Sequence, residues 1–538
     1  MFRFGPLVFA GLIVAVGLAG CLGGSLEGSF ATSFGDATGI AFTNGVLWTA
    51  DDERPWATAL AVVGDRIVAV GSDEEILRVD LGPRPLRVDL AGALVTPGFH
   101  DTHNHFVREA MNWDPATRAN PFEPWPPGWD PVAGTVAQQN RAAGHLGTWA
   151  NRNVERVRNG ALPALPSEHV HEETVAVPCR LAQTDLDCGD APQVGAAAQR
   201  EGLRLAFATA AKYGVTSHVE AGASFDRFEA LEAYDRDVGL TARYNLYVFP
   251  EDLESVIQRG WVTGSGDDDV RLLGMKIYSD GWLGPRTAAM RDLYNDRPHR
   301  GVAFFTQEEV DGYVLHAHQN GLKVTAHTIG DRATAMLLDA YAKASAQPCE
   351  GHAVCADPRW SLEHVQLVQP DLMEKMVELR LVPSVQLSFA TSDAPWAESA
   401  LGRDRLQHAY PWRTMLERGL VVGGSSDFPI EVLPPLWGIQ RVVTRVDLDG
   451  KPAGGFMPEQ ALTLDEALRT ITINAAYLEF REDELGSLTP GKYADFVVLG
   501  RNLFEIPPEE IAVTPVLLTV VGGRPAHAAA PFDETFAT

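Results

Sequence analysis

Val95-Thr96-Pro97-Gly98-Phe99-His100-Asp101-Thr102-His103-Asn104-His105 is the stretch from which the rest of the chain is best read. An apolar run leads into Pro97-Gly98, and His103 and His105 follow two residues apart. On a strand, side chains at i and i+2 point to the same side, so both imidazoles can face one point. Two neutral imidazoles converging from one strand suit a borderline-soft divalent ion such as zinc. Taken alone, a His-x-His pair is equally compatible with surface polarity at a loop, so the surrounding pattern has to decide.

Downstream of this stretch, strand and helix patterns alternate. Gln193 to Tyr213 reads as a helix stopped by Gly214, and Val215 to Val219 as a strand. Ala242 to Phe249, Val270 to Tyr278, Leu322 to His327, Trp360 to His364, Leu381 to Gln386 and Gly419 to Gly424 are further apolar runs of strand length. Between them lie helical patterns at Asp252 to Arg259, after the capping box Thr306-x-x-Glu309 up to Gly321, at Asp331 to Lys343, and from Pro370. Counted from Leu94 these make eight strands with helical connections, which predicts an α/β (β/α)8 TIM barrel spanning about residues 93–480. Residues 38–92 and 481–530 have a different texture, with β-branched runs broken by Asn-Gly and Gly-Asp turns. They predict one small β-sandwich built from both terminal segments. Residues 107–190, rich in Pro, Trp and Asn, break the alternation and read as an insertion at the barrel mouth, either a lid or a structural flap.

At 538 residues the chain can hold one large barrel with an accessory domain, and its 45% hydrophobic content is that of a globular protein. A net charge of −27 without any basic run excludes nucleic acid as a partner. Residues 1–21 read as a targeting segment: Arg3, then an apolar Leu7 to Val16, then Leu18-Ala19-Gly20-Cys21. That ending resembles a bacterial lipoprotein signal with Cys21 lipidated, and a plain secretory signal or a membrane anchor is the alternative. The expectation is an exported protein of the cell envelope that touches the membrane through its lipid anchor only. Cys179 with Cys188 and Cys349 with Cys355 read as two local disulfides, in keeping with export. The sequence leaves open whether the chain is a monomer or a homodimer.

Active sites of such barrels are built at the C-terminal ends of the strands. Those positions hold His103 and His105, Lys276, His327, His364 and Asp427. They sit in the motifs Met275-Lys276-Ile277-Tyr278-Ser279-Asp280-Gly281, Ala326-His327-Thr328-Ile329-Gly330-Asp331, Glu363-His364-Val365-Gln366 and Gly424-Ser425-Ser426-Asp427. In that order, and with the segment Pro490-Gly491-Lys492-Tyr493-Ala494-Asp495, the chain resembles the amidohydrolase superfamily, in particular its YtcJ-like branch. The resemblance implies a metal-dependent hydrolase that cleaves a non-peptide C–N bond of an amide, formamide or cyclic amide with a metal-activated hydroxide. It implies one or two divalent ions, zinc foremost. His103, His105 and Asp427 would hold one ion, and His327 and His364 the other. Lys276 would be a bridge if its amine is carboxylated, and Asp427 also the general base. Asp280, Trp282 and Arg286, just past Lys276, are candidates for contacting a small amide-type substrate, with a fold-stabilising ion pair an equal alternative for Arg286. His100, His218, His316 and His318 are read as non-ligands, and Asp331 as a helix cap or a support for a ligand. His100 stands where the family usually has an apolar residue. Two rivals stay open: a mononuclear deaminase of the same superfamily, and a non-catalytic solute-binding lipoprotein.

Overall fold

The computed structural model describes residues 39–112 and 194–536. Residues 1–21, read from the sequence as a targeting segment with Cys21, the Cys179 and Cys188 pair, and all of residues 107–190 beyond residue 112 lie outside the described residues. Seven short strands come first: β1 (Ile40–Thr43), β2 (Val46–Trp48), β3 (Trp56–Ala57), β4 (Ala59–Val63), β5 (Arg66–Gly71), β6 (Leu86–Asp89) and β7 (Leu94–Pro97). Eight more follow: β8 (Phe99–Asn104), β9 (Val215–Ala223), β10 (Arg243–Val248), β11 (Val270–Tyr278), β12 (Lys323–Thr328), β13 (Glu363–His364), β14 (Ser384–Gln386) and β15 (Gly423–Ser425). The last three are β16 (Phe496–Leu499), β17 (Val516–Val521) and β18 (Arg524–Ala528).

Strands β8 to β15 form one eight-stranded sheet in chain order, every neighbour parallel. The ring is drawn together where the last strand meets the first. Thr102 Oγ1 donates to Gly424 O at 3.1 Å, and just beyond the strands Asp427 N donates to His103 O at 2.8 Å. Helices fill the connections, as the alternating pattern requires. The helix Gln307–Gln319 opens on a complete Thr306/Glu309 capping box and is followed by Gly321 in the left-handed region. The helix Pro370–Glu378 has its proline in the first turn, where a missing N–H costs nothing. A disulfide joins Cys349 and Cys355 in the connection before β13. This is the expected TIM barrel.

Three details differ from the sequence reading. β13 and β14 are shorter than the apolar runs that hold them, and the flanking residues keep single ladder bonds such as Val382 N to Trp360 O at 2.8 Å. The insertion begins with an ordered helix, Phe106–Asn112, packed so closely on the helix Ala196–Lys212 that a Cβ on Gly202 would lie 2.0 Å from Ala110 O. Most important, Leu94–Pro97 is not part of the first barrel strand. It pairs antiparallel with β16, Val95 opposite Val498 and Pro97 opposite Phe496.

The two terminal segments build two sheets, β5-β4-β1-β6 and β18-β17-β16-β7-β2-β3. Phe42, Val62 and Val88 of the first share an apolar cluster with Leu47, Val95, Phe496, Val498 and Val520 of the second. The alternate residues Leu94, Val497 and Leu499 belong instead to the main cluster with the barrel's Phe99 and Val215. Strand alternation therefore gives the six-stranded sheet two apolar faces, one toward its partner sheet and one toward the barrel.

Gly98 is the crossing point between the two sheets. Its N–H goes back to Asp495 O at 2.9 Å, whereas the next N–H, of Phe99, enters the barrel at Gly214 O, 3.1 Å away. A Cβ on Gly98 would meet Thr216 Oγ1 at 2.1 Å and Thr216 Cβ at 2.8 Å. Gly98→Ala is therefore expected to destabilise the fold by about 1–3 kcal/mol through overpacking, read as a lower denaturation midpoint. An unshifted midpoint would show that this approach is not tight.

Candidate metal centre

The six residues read from the sequence as ligands all lie at the C-terminal rim of the barrel, and all are buried. Asp427 occupies the middle. Its Oδ1 is 3.3 Å from His103 Nε2 and 3.5 Å from His105 Nε2, and its Oδ2 is 3.8 Å from His364 Nδ1. The His364 ring lies 4.7 Å from that of His103 and 4.4 Å from that of His327, centroid to centroid. Among the described residues, His103, His364 and Asp427 each offer one donor atom within 4.8 Å of the others. This grouping departs from the implied assignment, which put His364 with His327 and apart from His103. The reason is local: His327 Nε2 is turned to Gly281 O at 3.1 Å and Asp280 Oδ1 at 3.3 Å.

The backbone at these positions is unusual, and each departure aims a ligand. At the end of β13, Val365 N donates to Glu363 O at 2.9 Å, closing a three-residue turn around His364, which has φ 71°. Consecutive strand residues normally face opposite sides; this turn lets Glu363 and His364 both stay in the interior. Asp427 has φ 58°, a conformation uncommon for a non-glycine residue. It is held there from the first strand. Asp101 Oδ1 accepts from Ser426 N at 2.9 Å, and Asp101 Oδ2 from the Ser426 hydroxyl. Strain of this kind persists only where surrounding bonds over-determine it.

Neighbours fix the rings. His103 Nδ1 is 2.7 Å from Glu363 Oε2, and His364 Nδ1 is 2.7 Å from Gln386 Oε1. The Tyr278 hydroxyl lies 3.4 Å from His105 Nε2 and donates to Ala221 O at 3.2 Å. Lys276 is fully buried with no hydrogen-bond partner for Nζ. Burial pulls its pKa down to about 8, against the pull of Glu363 and Asp427. His103 Nε2, His105 Nδ1 and Asp427 Oδ1 are also buried without a hydrogen-bond partner. Unpaired lone pairs in a dry pocket are costly; a divalent ion would satisfy His103 Nε2 and Asp427 Oδ1 together, whereas His105 Nδ1 faces Glu220 Oε1 at 3.8 Å and it is His105 Nε2 that lies beside Asp427. The donor set of imidazole and carboxylate fits zinc and related ions.

The three residues proposed for substrate contact are placed otherwise. Asp280 is buried, and its carboxylate accepts from the backbone N–H of Ala289, Ile329 and Gly330 at 2.8 to 3.1 Å. Burial still pushes its pKa up to about 8. It ties the loop after β11 to the turn after β12 and is not directed at the mouth. Trp282 packs against the main core, and its carbonyl accepts from Thr287 N at 2.9 Å. Arg286 is committed to Asp296 at 2.6 Å and to the carbonyls of Leu283 and Gly284, which is the ion-pair alternative. Asp331 is the first residue of its helix rather than the cap, and accepts from Arg291 N at 2.8 Å.

The four histidines read as non-ligands have contacts of their own. His100 Nδ1 meets Glu479 at 2.9 Å, which explains a polar residue at a usually apolar position. His218 Nδ1 is 3.1 Å from Asn104 Nδ2, and its ring stacks on Phe106. His316 pairs with Glu254, and His318 lies against Trp360. The sequence reading missed Glu363, Tyr278 and Phe389, the last stacked on His364 at 5.9 Å. Tyr278 was detectable, since it is two residues from Lys276 on one strand and so shares its side.

With fold and site in view, comparison with known proteins is informative. The profile of the Amidohydrolase family matches residues 132–527, and the chain belongs to that family. It is therefore an enzyme of the class that hydrolyses carbon–nitrogen bonds. It is similar to N-substituted formamide deformylase of Arthrobacter pascens, 25% identical over 90% of this chain and 97% of that protein. It is 32% identical to YtcJ of Bacillus subtilis (strain 168), over 46% of each chain. The crystal structure of an uncharacterized metal-dependent hydrolase from Pyrococcus horikoshii OT3 superposes with a TM-score of 0.67 at 21% identity, over 87% of this chain and 99% of that one, and so shares the fold.

If Arg286 serves the loop and not the substrate, Arg286→Ala and Asp296→Ala should each lower stability by about 1 kcal/mol, and the double variant by little more. KM should stay near wild type in both. A rise in KM of about tenfold in Arg286→Ala alone would return this residue to substrate binding.

Proposed function

We propose that this chain is a metal-dependent amidohydrolase that hydrolyses the C–N bond of a small amide, formamide or cyclic amide. The observation that carries the reading is Asp427: a buried carboxylate whose Oδ1 has no hydrogen-bond donor and faces Nε2 of two histidines. His103, His105, His364 and Asp427 would hold the ion. Lys276 would add an anionic donor if its amine carries a carboxylate, and His327 would join if its ring left Gly281 O. A divalent ion in this cage supplies Lewis-acid polarisation of a carbonyl and an acidic water near neutral pH.

The chain's own groups do the rest. Asp427 takes the proton of the water that attacks the carbonyl carbon and passes it to the departing nitrogen as the C–N bond breaks. The products are a carboxylic acid and an amine. The Tyr278 hydroxyl stands beside His105 and would donate to a substrate oxygen only on leaving Ala221 O. The Phe389 ring stacks on His364 and fixes that face of the imidazole.

One observation favours a single ion over two: His327 Nε2 faces Gly281 O and Asp280, and only His103, His364 and Asp427 form a tight group among the described residues. Zinc is the proposed metal on donor chemistry. The similarity to N-substituted formamide deformylase supports starting a substrate screen with N-formyl compounds. Export is part of the proposal, supported by the leader-like residues 1–21 and by the Cys349–Cys355 disulfide, with Cys21 as a lipid anchor.

Elemental analysis on protein purified without chelators is expected to give about one zinc-class ion per chain, with activity lost on chelation and restored by zinc. Protein that holds no metal and takes none up would sink the proposal. Asp427→Asn should reduce kcat by about 10²–10⁴-fold with little change in unfolding temperature; wild-type turnover in that variant would remove Asp427 as the base. Cys21→Ser should shift the protein from the membrane to the soluble fraction, and continued membrane association would point to another anchor.

A further inference from the structure

Resting on the metal-binding reading above, we infer that Glu363 is the positioning residue that sets the tautomer and aim of His103, and thereby the affinity of the cage. Glu363 is fully buried, and each of its oxygens has a partner on a different strand. Oε1 accepts from the Thr325 hydroxyl on β12 at 2.6 Å, and Oε2 lies 2.7 Å from His103 Nδ1 on β8. The carboxylate thus spans the barrel interior, from its fifth and sixth strands to its first.

An ionised carboxylate only accepts hydrogen bonds. The proton between Glu363 and His103 therefore belongs to Nδ1 of the imidazole. That leaves the Nε2 lone pair as the metal-facing atom, and Nε2 is the one that is buried without a hydrogen-bond partner, 3.3 Å from Asp427 Oδ1. A carboxylate behind a histidine ligand both orients the ring and raises its basicity. His364 has no carboxylate behind it among the described residues: its Nδ1 meets the neutral amide oxygen of Gln386 at 2.7 Å. Among the described residues, Glu363 is the carboxylate bonded directly to a ligand imidazole at its outward nitrogen within 3.0 Å.

The geometry also explains why adjacent residues carry both roles. The left-handed turn at His364, φ 71°, keeps Glu363 and His364 in the same interior, so one dipeptide offers a ligand and the support of another ligand. A glutamine at 363 could still accept from His103 Nδ1, with its amide facing Thr325 Oγ1, but without the negative charge. A leucine of similar size could do neither.

The test is zinc affinity of the full-length protein, measured by competition with a chromophoric chelator, in wild type, Glu363→Gln, Glu363→Leu and Thr325→Val, with thermal unfolding followed in parallel. The expected order is wild type tightest, Glu363→Gln weaker by up to about tenfold, and Glu363→Leu weaker by about 10–100-fold. Thr325→Val should fall near Glu363→Gln, because it frees one oxygen without touching His103. If Glu363→Leu does not fold, the isosteric Glu363→Gln decides. Affinity equal to wild type in the folded Glu363 variants overturns the role of Glu363 while leaving the metal reading intact. A wild type that binds no zinc overturns both.

Discussion

Asp427 and Asp101 together impose the constraint on which the rest of the site depends. Asp101, on the first barrel strand, accepts from both the amide and the hydroxyl of Ser426, and the next residue is Asp427. Asp427 N returns a bond to His103 O at 2.8 Å. The last strand's loop is thus fastened to the first strand within three residues of the ligand pair. Without this seam the ring would still have its hydrophobic layers, but the Asp427 carboxylate would not be fixed among the imidazoles. Leaving such a carboxylate oxygen unpaired in the interior costs more than the about 1–3 kcal/mol of a neutral polar group, and a protein tolerates that cost where a ligand or ion recovers it.

The terminal sandwich and the barrel are mechanically linked by one sheet. β7 runs into β8 across a single glycine, so the strand that seats the six-stranded sheet feeds directly into the strand that carries His103. Alternation along β7 and β16 sends Val95, Phe496 and Val498 into one core, and Leu94, Val497 and Leu499 into the other. The buried Arg243–Asp495 pair, 2.8 Å apart, ties the sheet end to β10 from the other side. The sandwich therefore acts as a brace for the strand on which the metal ligands begin.

Much of this was readable from residues alone because strand ends announce themselves. Seven of the eight barrel strands fall on the apolar runs between Val215 and Gly424, and the first, β8, falls on the His-x-His stretch. The error at Leu94 has a physical cause: a strand that changes sheets at Gly98 remains one continuous apolar run in sequence. Asp280, Trp282 and Arg286 were placed at the mouth by proximity to Lys276. What sequence could not supply was that three backbone amides and Asp296 already claim two of them. Glu363 was hidden for a related reason, since a neighbour of His364 on an ordinary strand would face away from the site. Its inward position depends on one left-handed residue.

Anomalous diffraction at the zinc edge, from crystals of the full chain grown with zinc, would test the central claim most directly. The account predicts a strong peak within coordination distance of His103 Nε2, Asp427 and His364, with a second peak only if the His327 ring has swung from Gly281 O toward Lys276. Zinc scattered over surface carboxylates, with no peak between His103 and Asp427, would contradict it.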